Sequence, residues 1–254
     1  MGNGSMIVCR SKAEIEKLRH SGKIVRQILD EAQQQVRPGM TTLELESFVE
    51  RRLAELRVKA AFKGYRGYPS CLCASVNQEV IHAIPSARRR LQPGDIVSLD
   101  LGVIVDGYYG DSALTVPVGE IDEPARRLLR VTQECLQLGI EQAKAGNRVG
   151  DISAAVQEHA EGNGYSVVRE FVGHGVGRAL HEEPQVPNYG RAGHGPVLKP
   201  GMVIAIEPMV NTGGAAVRVL EDHWTAVTAD GGYSAHFEHM VAITSNGADI
   251  LTRP

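Results

Sequence analysis

At 254 residues, with a formal net charge of −3, 43% hydrophobic and 22% charged side chains, the chain is long enough to bury a sizeable core and has the balance of a soluble globular enzyme. The small acidic excess argues against nucleic acid or an anionic membrane as its main partner, and no apolar run reaches the ~18 residues of a membrane span. The longest candidate, Met202 to Val210, is interrupted by Glu207 and Pro208.

In chain order, residues 1–5 lack the basic and apolar regions of a secretory signal and read as an expression scar ahead of a native Met6. Ser11, with Glu14 three positions on, forms a capping-box pattern that predicts a helix from Ser11 to about Val36, stopped by Arg37-Pro38-Gly39. Thr42 to about Leu56 predicts a second amphipathic helix, Pro124 to about Ala145 a third, and Val149 to Glu161 a fourth. Elsewhere the hydrophobic period falls to two. Ile96–Ile104, Ser166–Val172, Met202–Ile206, Ala216–Leu220, Trp224–Thr228 and Phe237–Thr244 predict strands. The turns Asp106-Gly107, Gly213-Gly214 and Asp230-Gly231-Gly232 predict hairpins and a largely antiparallel sheet. Cys9, Cys71, Cys73 and Cys135 form neither a CxxC pair nor a disulfide framework, so buried, reduced thiols of a cytoplasmic protein are expected.

Self-comparison exposes a duplication. Leu91-Gln-Pro-Gly-Asp-Ile-Val-Ser-Leu-Asp100 matches Leu198-Lys-Pro-Gly-Met-Val-Ile-Ala-Ile-Glu207 at an offset of 107 residues. The same offset aligns Arg37-Pro-Gly39 with Lys144-Ala-Gly146, and Glu44-Leu45 with Asp151-Ile152. The expectation is a duplicated α+β unit forming a single domain over residues 6–254, with halves at about 11–120 and 121–254 related by a pseudo-two-fold axis.

Each matched strand ends its apolar run in a carboxylate. A lone charge inside such a strand is costly unless paired or metal-bound, and two acids at equivalent positions point to a shared central site. Asp111 returns eleven residues after Asp100 across a predicted hairpin, and Glu238 lies in another apolar strand. Carboxylates converging this closely would repel one another and raise their pKa values. Divalent cations remove that problem, and mostly oxygen ligands with one or two imidazoles favour a pair of Mn, Fe(II), Co or Zn ions.

Neighbouring patterns mislead. His181-Glu-Glu-Pro is not HExxH, His236-Phe-Glu-His239 is one residue short of the inverted form, and Gly173-His-Gly-Val-Gly177 has no following Lys-Ser/Thr to make a P-loop. Its glycines instead allow close backbone approach around His174, which is expected to be a ligand or a catalytic group.

The order Asp100, Asp111, Gly-His174-Gly-Val-Gly, Ile-Glu207-Pro and Glu238 resembles the pita-bread metallopeptidases. Gly-Tyr65-Arg-Gly-Tyr68-Pro, Val-Asn-Gln-Glu-Val-Ile-His82-Ala-Ile-Pro and Gly-Arg-Ala-Leu-His181-Glu-Glu-Pro are similar to the type I methionine aminopeptidases, from about residue 11 to the end. The resemblance implies removal of the initiator methionine from new chains with a small second residue, by a metal-bridged hydroxide. It implies that Asp100 chelates one ion, that Asp111 and Glu238 bridge two, and that His174 and Glu207 complete the other. Glu207 would relay the proton, His181 would contact the scissile carbonyl, and His82 the peptide nitrogen. The methionine pocket would be Tyr65, Tyr68, Cys73, His82, His181 and Trp224, a lining suited to a thioether. Phe62 and Leu180 depart from the family pattern beside that pocket and bear on side-chain preference.

The rivals are an Xaa-Pro dipeptidase, whose relatives add a large N-terminal domain, and a metal-free binding protein of the same fold, whose relatives lack several ligands. The expected partners are nascent polypeptide N-termini, with no DNA and no membrane, for a cytoplasmic monomer. Arg88-Arg-Arg90 reads as a solvated turn that offers at most a transient ribosome contact.

Overall fold

The structure, a computed structural model, describes residues 6–253, so the suggested scar at residues 1–5 lies outside the described residues. Four α-helices occur among the described residues: α1 (Lys12–Gln33), α2 (Thr42–Leu56), α3 (Glu123–Gln142) and α4 (Val149–Gly162). Ser11 caps α1 as expected: its hydroxyl accepts from Glu14 N–H at 3.3 Å, while the Glu14 carboxylate accepts from Ser11 N–H at 3.0 Å. Thr41 and Glu44 make the same exchange at the start of α2. α3 begins one residue earlier than predicted because Asp122 caps it, accepting from Ala125 N–H at 2.9 Å. α1 and α3 both stop about three residues short of their predicted ends, before the left-handed Gly39 and Gly146.

All ladders are antiparallel, which fits the α+β class. Ile96–Val105 and Tyr108–Pro117 form a long hairpin across Asp106-Gly107, whose φ angles of 51° and 78° suit a type I′ turn. Val97, Leu99, Leu101 and Val103 on one face of its first strand join α1 and α2 in the main core. Each such fully buried side chain stabilises by roughly 1.5–3 kcal/mol. Asp100 faces the other way.

The other two glycine turns do not close hairpins. Asp230 accepts from Gly214 N–H at 2.7 Å and Gly232 N–H at 3.0 Å, so one carboxylate ties both turns together. Of the expected strand Ser166–Val172 only Ser166–Val167 is strand, and a separate short strand, Gly173–Gly175, begins just beyond it. The expected strand Phe237–Thr244 starts two residues late, at His239, and pairs with Val203–Ile206, while a separate strand before it, Ser234–His236, pairs with Met209–Asn211. Two adjacent chain segments therefore break at one level. Glu207-Pro208 lies at one break and Phe237-Glu238 at the other, so Glu238 sits between strands rather than within one.

The duplication recurs at the level of single hydrogen bonds. Gly39 N–H donates to Leu91 O at 2.8 Å, and Gly146 N–H to Leu198 O at 3.0 Å. Leu91 N–H returns to Met40 O at 2.8 Å, and Leu198 N–H to Asn147 O at 2.7 Å. Thr41 bridges Arg90, as Arg148 bridges Val197. The halves join where Glu238 N–H donates to Ala113 O at 2.9 Å and the Ser112 hydroxyl donates to Glu238 O at 2.8 Å. Cys71, Cys73 and Cys135 are buried free thiols, but Cys9 is exposed, because the segment ahead of α1 runs along the surface.

Candidate metal centre and substrate pocket

The hairpin register pairs Asp100 with Ala113 and Gly102 with Asp111, so Asp100 and Asp111 are diagonal neighbours on one face. The break in the other sheet brings Glu207 and Glu238 to the same place. Ligand atoms of Asp111, His174 and Glu238 all lie within 4.8 Å of one another. His174 Nε2 is 3.8 Å from Asp111 Oδ2 and 3.4 Å from Glu207 Oε1. The structure thus brings together the five side chains singled out in the sequence, Asp100, Asp111, His174, Glu207 and Glu238. Asn188 fixes the break by donating to Glu207 O at 3.0 Å.

The glycines around His174 have the role expected of them. A Cβ on Gly173 would stand 2.4 Å from Ala205 O, and one on Gly175 would stand 2.3 Å from Glu183 O. The short strand is pressed between two others. His174 Nδ1 lies 2.9 Å from Gly175 O. A carbonyl only accepts, so the proton sits on Nδ1, and Nε2 turns a lone pair towards the carboxylates.

All four carboxyls are buried. Burial first, then the other acids, pushes Asp100, Glu207 and Glu238 above the usual carboxylate range, and burial pushes Asp111 up to about 7. Burial also pushes His174 down to about 3, so the imidazole is neutral and available as a ligand. Asp100 Oδ1, Asp111 Oδ1 and Glu238 Oε1 are buried with no hydrogen-bond partner. Orphaned oxygens on clustered acids beside an unprotonated imidazole nitrogen fit divalent cations.

A cavity of about 300 Å³ opens from this cluster. Tyr65, Tyr68, Cys73, His82, His181 and Trp224 all line it, with Phe62 and Leu180 among them. The Tyr68 ring meets Trp224 edge-on, with centroids 5.1 Å apart, and its hydroxyl lies 3.0 Å from Leu72 O and 3.1 Å from Ala83 O. Cys73 pairs with Asp100 across the ladder; burial, then Asp100, raises its thiol pKa. His82 has a left-handed φ of 61° and stacks edge-on against Phe171 at 5.4 Å. Burial, then His181, pushes it down to about 4. His181 Nδ1 is 2.8 Å from the Tyr65 hydroxyl, and its ring lies 4.3 Å from that of His174.

The chain belongs to metallopeptidase family M24, whose family model matches residues 16–245. Within that family it belongs to the methionine aminopeptidases. It is 49% identical over 248 residues to methionine aminopeptidase 1 of Bacillus subtilis, covering 98% of this chain and 100% of that protein. The crystal structure of methionine aminopeptidase from Thermotoga maritima matches with a TM-score of 0.96 at 50% identity, covering 98% of this chain and 100% of that one. Prolidase from Pyrococcus furiosus shares the fold, with a TM-score of 0.77 at 24% identity, but this chain spans only 66% of it. The pita-bread architecture expected from the sequence resemblance is therefore present, and the family is one of metallopeptidases.

The site also contains residues that the sequence reading passed over. Phe171, Ile81 and Arg66 line the cavity. His236 is fully buried, has no hydrogen-bond partner on either ring nitrogen, and places Nε2 3.8 Å from Glu207 Oε2. It precedes Glu238 by two residues, and a period of two was the available signal. Arg88-Arg-Arg90 is not merely a solvated turn. Arg89 reaches Val76 O and Glu79, and Arg90 reaches Gly39 O, across the repeat's own turn.

Proposed function

We propose that this chain removes the initiator methionine from new polypeptides with a small second residue, acting as a cytoplasmic monomer with two divalent ions. Asp100, Asp111, His174, Glu207 and Glu238 would hold the ions. The observation that carries this reading is the direct opening of the acid cluster into an aromatic, thiol-lined cavity. A thioether side chain and the adjacent peptide bond would then meet the cluster together. Bound ions supply Lewis acidity and lower the pKa of a coordinated water.

The chain's own groups supply the rest. Tyr65, Tyr68, Cys73 and Trp224 receive the methionine side chain, and Phe62 and Leu180 limit the depth. Glu207, at the sheet break beside the cavity, accepts a proton in its ionised, ion-bound form and returns it to the leaving amine. His181, if its Nδ1 accepts from Tyr65, presents Nε2–H to the scissile carbonyl. His82 stays neutral near the peptide nitrogen. Metal-loaded protein is expected to hydrolyse Met-Ala-Ser much faster than Xaa-Pro peptides; the reverse preference would overturn the substrate reading. Titration of metal-free protein with a divalent ion is expected to saturate at two ions per chain, and saturation at one would overturn the pair.

A further inference from the structure

The segment ahead of α1 crosses the surface behind His181. Arg10 N–H donates to Gly201 O at 2.7 Å, and the Arg10 side chain, only 7% exposed, pairs with Glu182. Glu182 Oε1 in turn accepts from Arg178 N–H at 2.8 Å and Ala179 N–H at 3.1 Å. One carboxylate therefore closes the loop that carries Leu180 and His181. The other end is held by the first turn of α1. Arg178 Nη2 donates to the Tyr108 hydroxyl at 2.8 Å, and that hydroxyl donates to Glu14 at 3.2 Å. Gly177 lies beneath the guanidinium, where a Cβ would stand 2.1 Å from Arg10 Nη2. The third glycine of Gly-His-Gly-Val-Gly thus makes room for an arginine from the start of the chain.

We propose that Arg10, acting through Glu182, is a positioning residue that holds the 178–182 loop and with it His181. Its effect on catalysis rests on the reading of His181 as a substrate contact; the clamp itself does not. A buried guanidinium shared with a carboxylate that also accepts two amides forms a charge-assisted fork, stronger than an exposed ion pair. A displacement of about 1 Å in a group that contacts the reacting carbonyl can cost roughly 10²-fold.

Two measurements test this on full-length, metal-loaded protein. In Arg10→Met, amide hydrogen exchange at Arg178 and Ala179 is expected to quicken about tenfold or more, with near-wild-type exchange in Arg10→Lys. Unchanged exchange in Arg10→Met would overturn the clamp. In the second, kcat for Met-Ala-Ser is expected to fall about 10- to 100-fold in Arg10→Met with little change in KM, yet to fall no further when Arg10→Met is added to His181→Ala. An equal loss in the His181→Ala background would mean that Arg10 does not act through His181. If Arg10→Met does not fold, Glu182→Gln carries both readouts with the same criteria. Undiminished kcat in His181→Ala would remove the reading of His181, and the exchange result would then decide the clamp alone.

Discussion

The two halves share their helices, their glycine turns and even their hydrogen bonds, yet they deliver their acids differently. In the first half the strand continues through Asp100 to Val105 and returns as an equally long partner carrying Asp111. Both acids are locked in a continuous ladder. In the second half the strand stops at Ile206, and Glu207 is followed by a proline that cannot donate to a ladder. Glu207 and Glu238 sit at paired breaks, where the chain passes from one sheet to the next. On the roles proposed above, the ladder holds Asp100 and Asp111 still, and the break leaves Glu207 free to exchange protons with a substrate.

This contrast is broken most directly by substituting equivalent acids. Glu207→Gln is expected to lower kcat about 10³-fold even at saturating metal. Asp100→Asn is expected mainly to weaken metal binding, with much of the rate recovered by excess metal. Steady-state rates across a metal titration separate the two, and equal, unrecoverable losses would abolish the distinction.

The next effect concerns charge without metal. Raised carboxyl pKa values mean that the folded chain keeps protons which the unfolded chain has shed, so stability falls as pH rises from about 4 through about 7. His82 and His174, pushed down to about 4 and 3, act in the opposite sense and cost stability as pH falls below about 6.5. Above about pH 6.5 the imidazoles are silent. The melting temperature of metal-free protein is therefore expected to drop by several degrees between about pH 6.5 and 8, at roughly 2–4 °C per kcal/mol. Added Mn(II) should remove the decline, since metal displaces those protons. A flat profile for the metal-free protein would contradict the clustering of the acids.

The smallest effect compares Gly94 with Gly201, whose φ angles are 94° and 93°. A Cβ on Gly94 finds its nearest neighbour at 4.0 Å, whereas one on Gly201 would stand 2.8 Å from Arg10 O. Gly94→Ala is expected to cost about 1–2 kcal/mol from the left-handed backbone alone, and Gly201→Ala clearly more. Denaturant unfolding of both variants checks the order.

Much of this was legible in the sequence for definite reasons. The helices were long and capped, and the acids interrupted apolar runs at a constant offset. The segments misjudged were strands of two or three residues, too short to show a period, and glycine turns closed by the remote carboxylate of Asp230. Glu182 looked like part of a failed zinc motif because Arg10, the residue that explains it, lies 172 positions away. His236 went unread as a site residue because its two-residue spacing from Glu238 was taken only as part of a failed inverted zinc motif.

The contact between the Ser112 hydroxyl and Glu238 O joins residues 126 positions apart. Pairings of such long range are the most expensive in chain entropy and form late in folding. On a chain being synthesised, the first half with Asp100 and Asp111 emerges long before Glu238 does. Until the last strands dock, Glu207 and Glu238 are not brought beside Asp100 and Asp111. The cluster of acids is therefore a product of the completed fold, assembled from both halves.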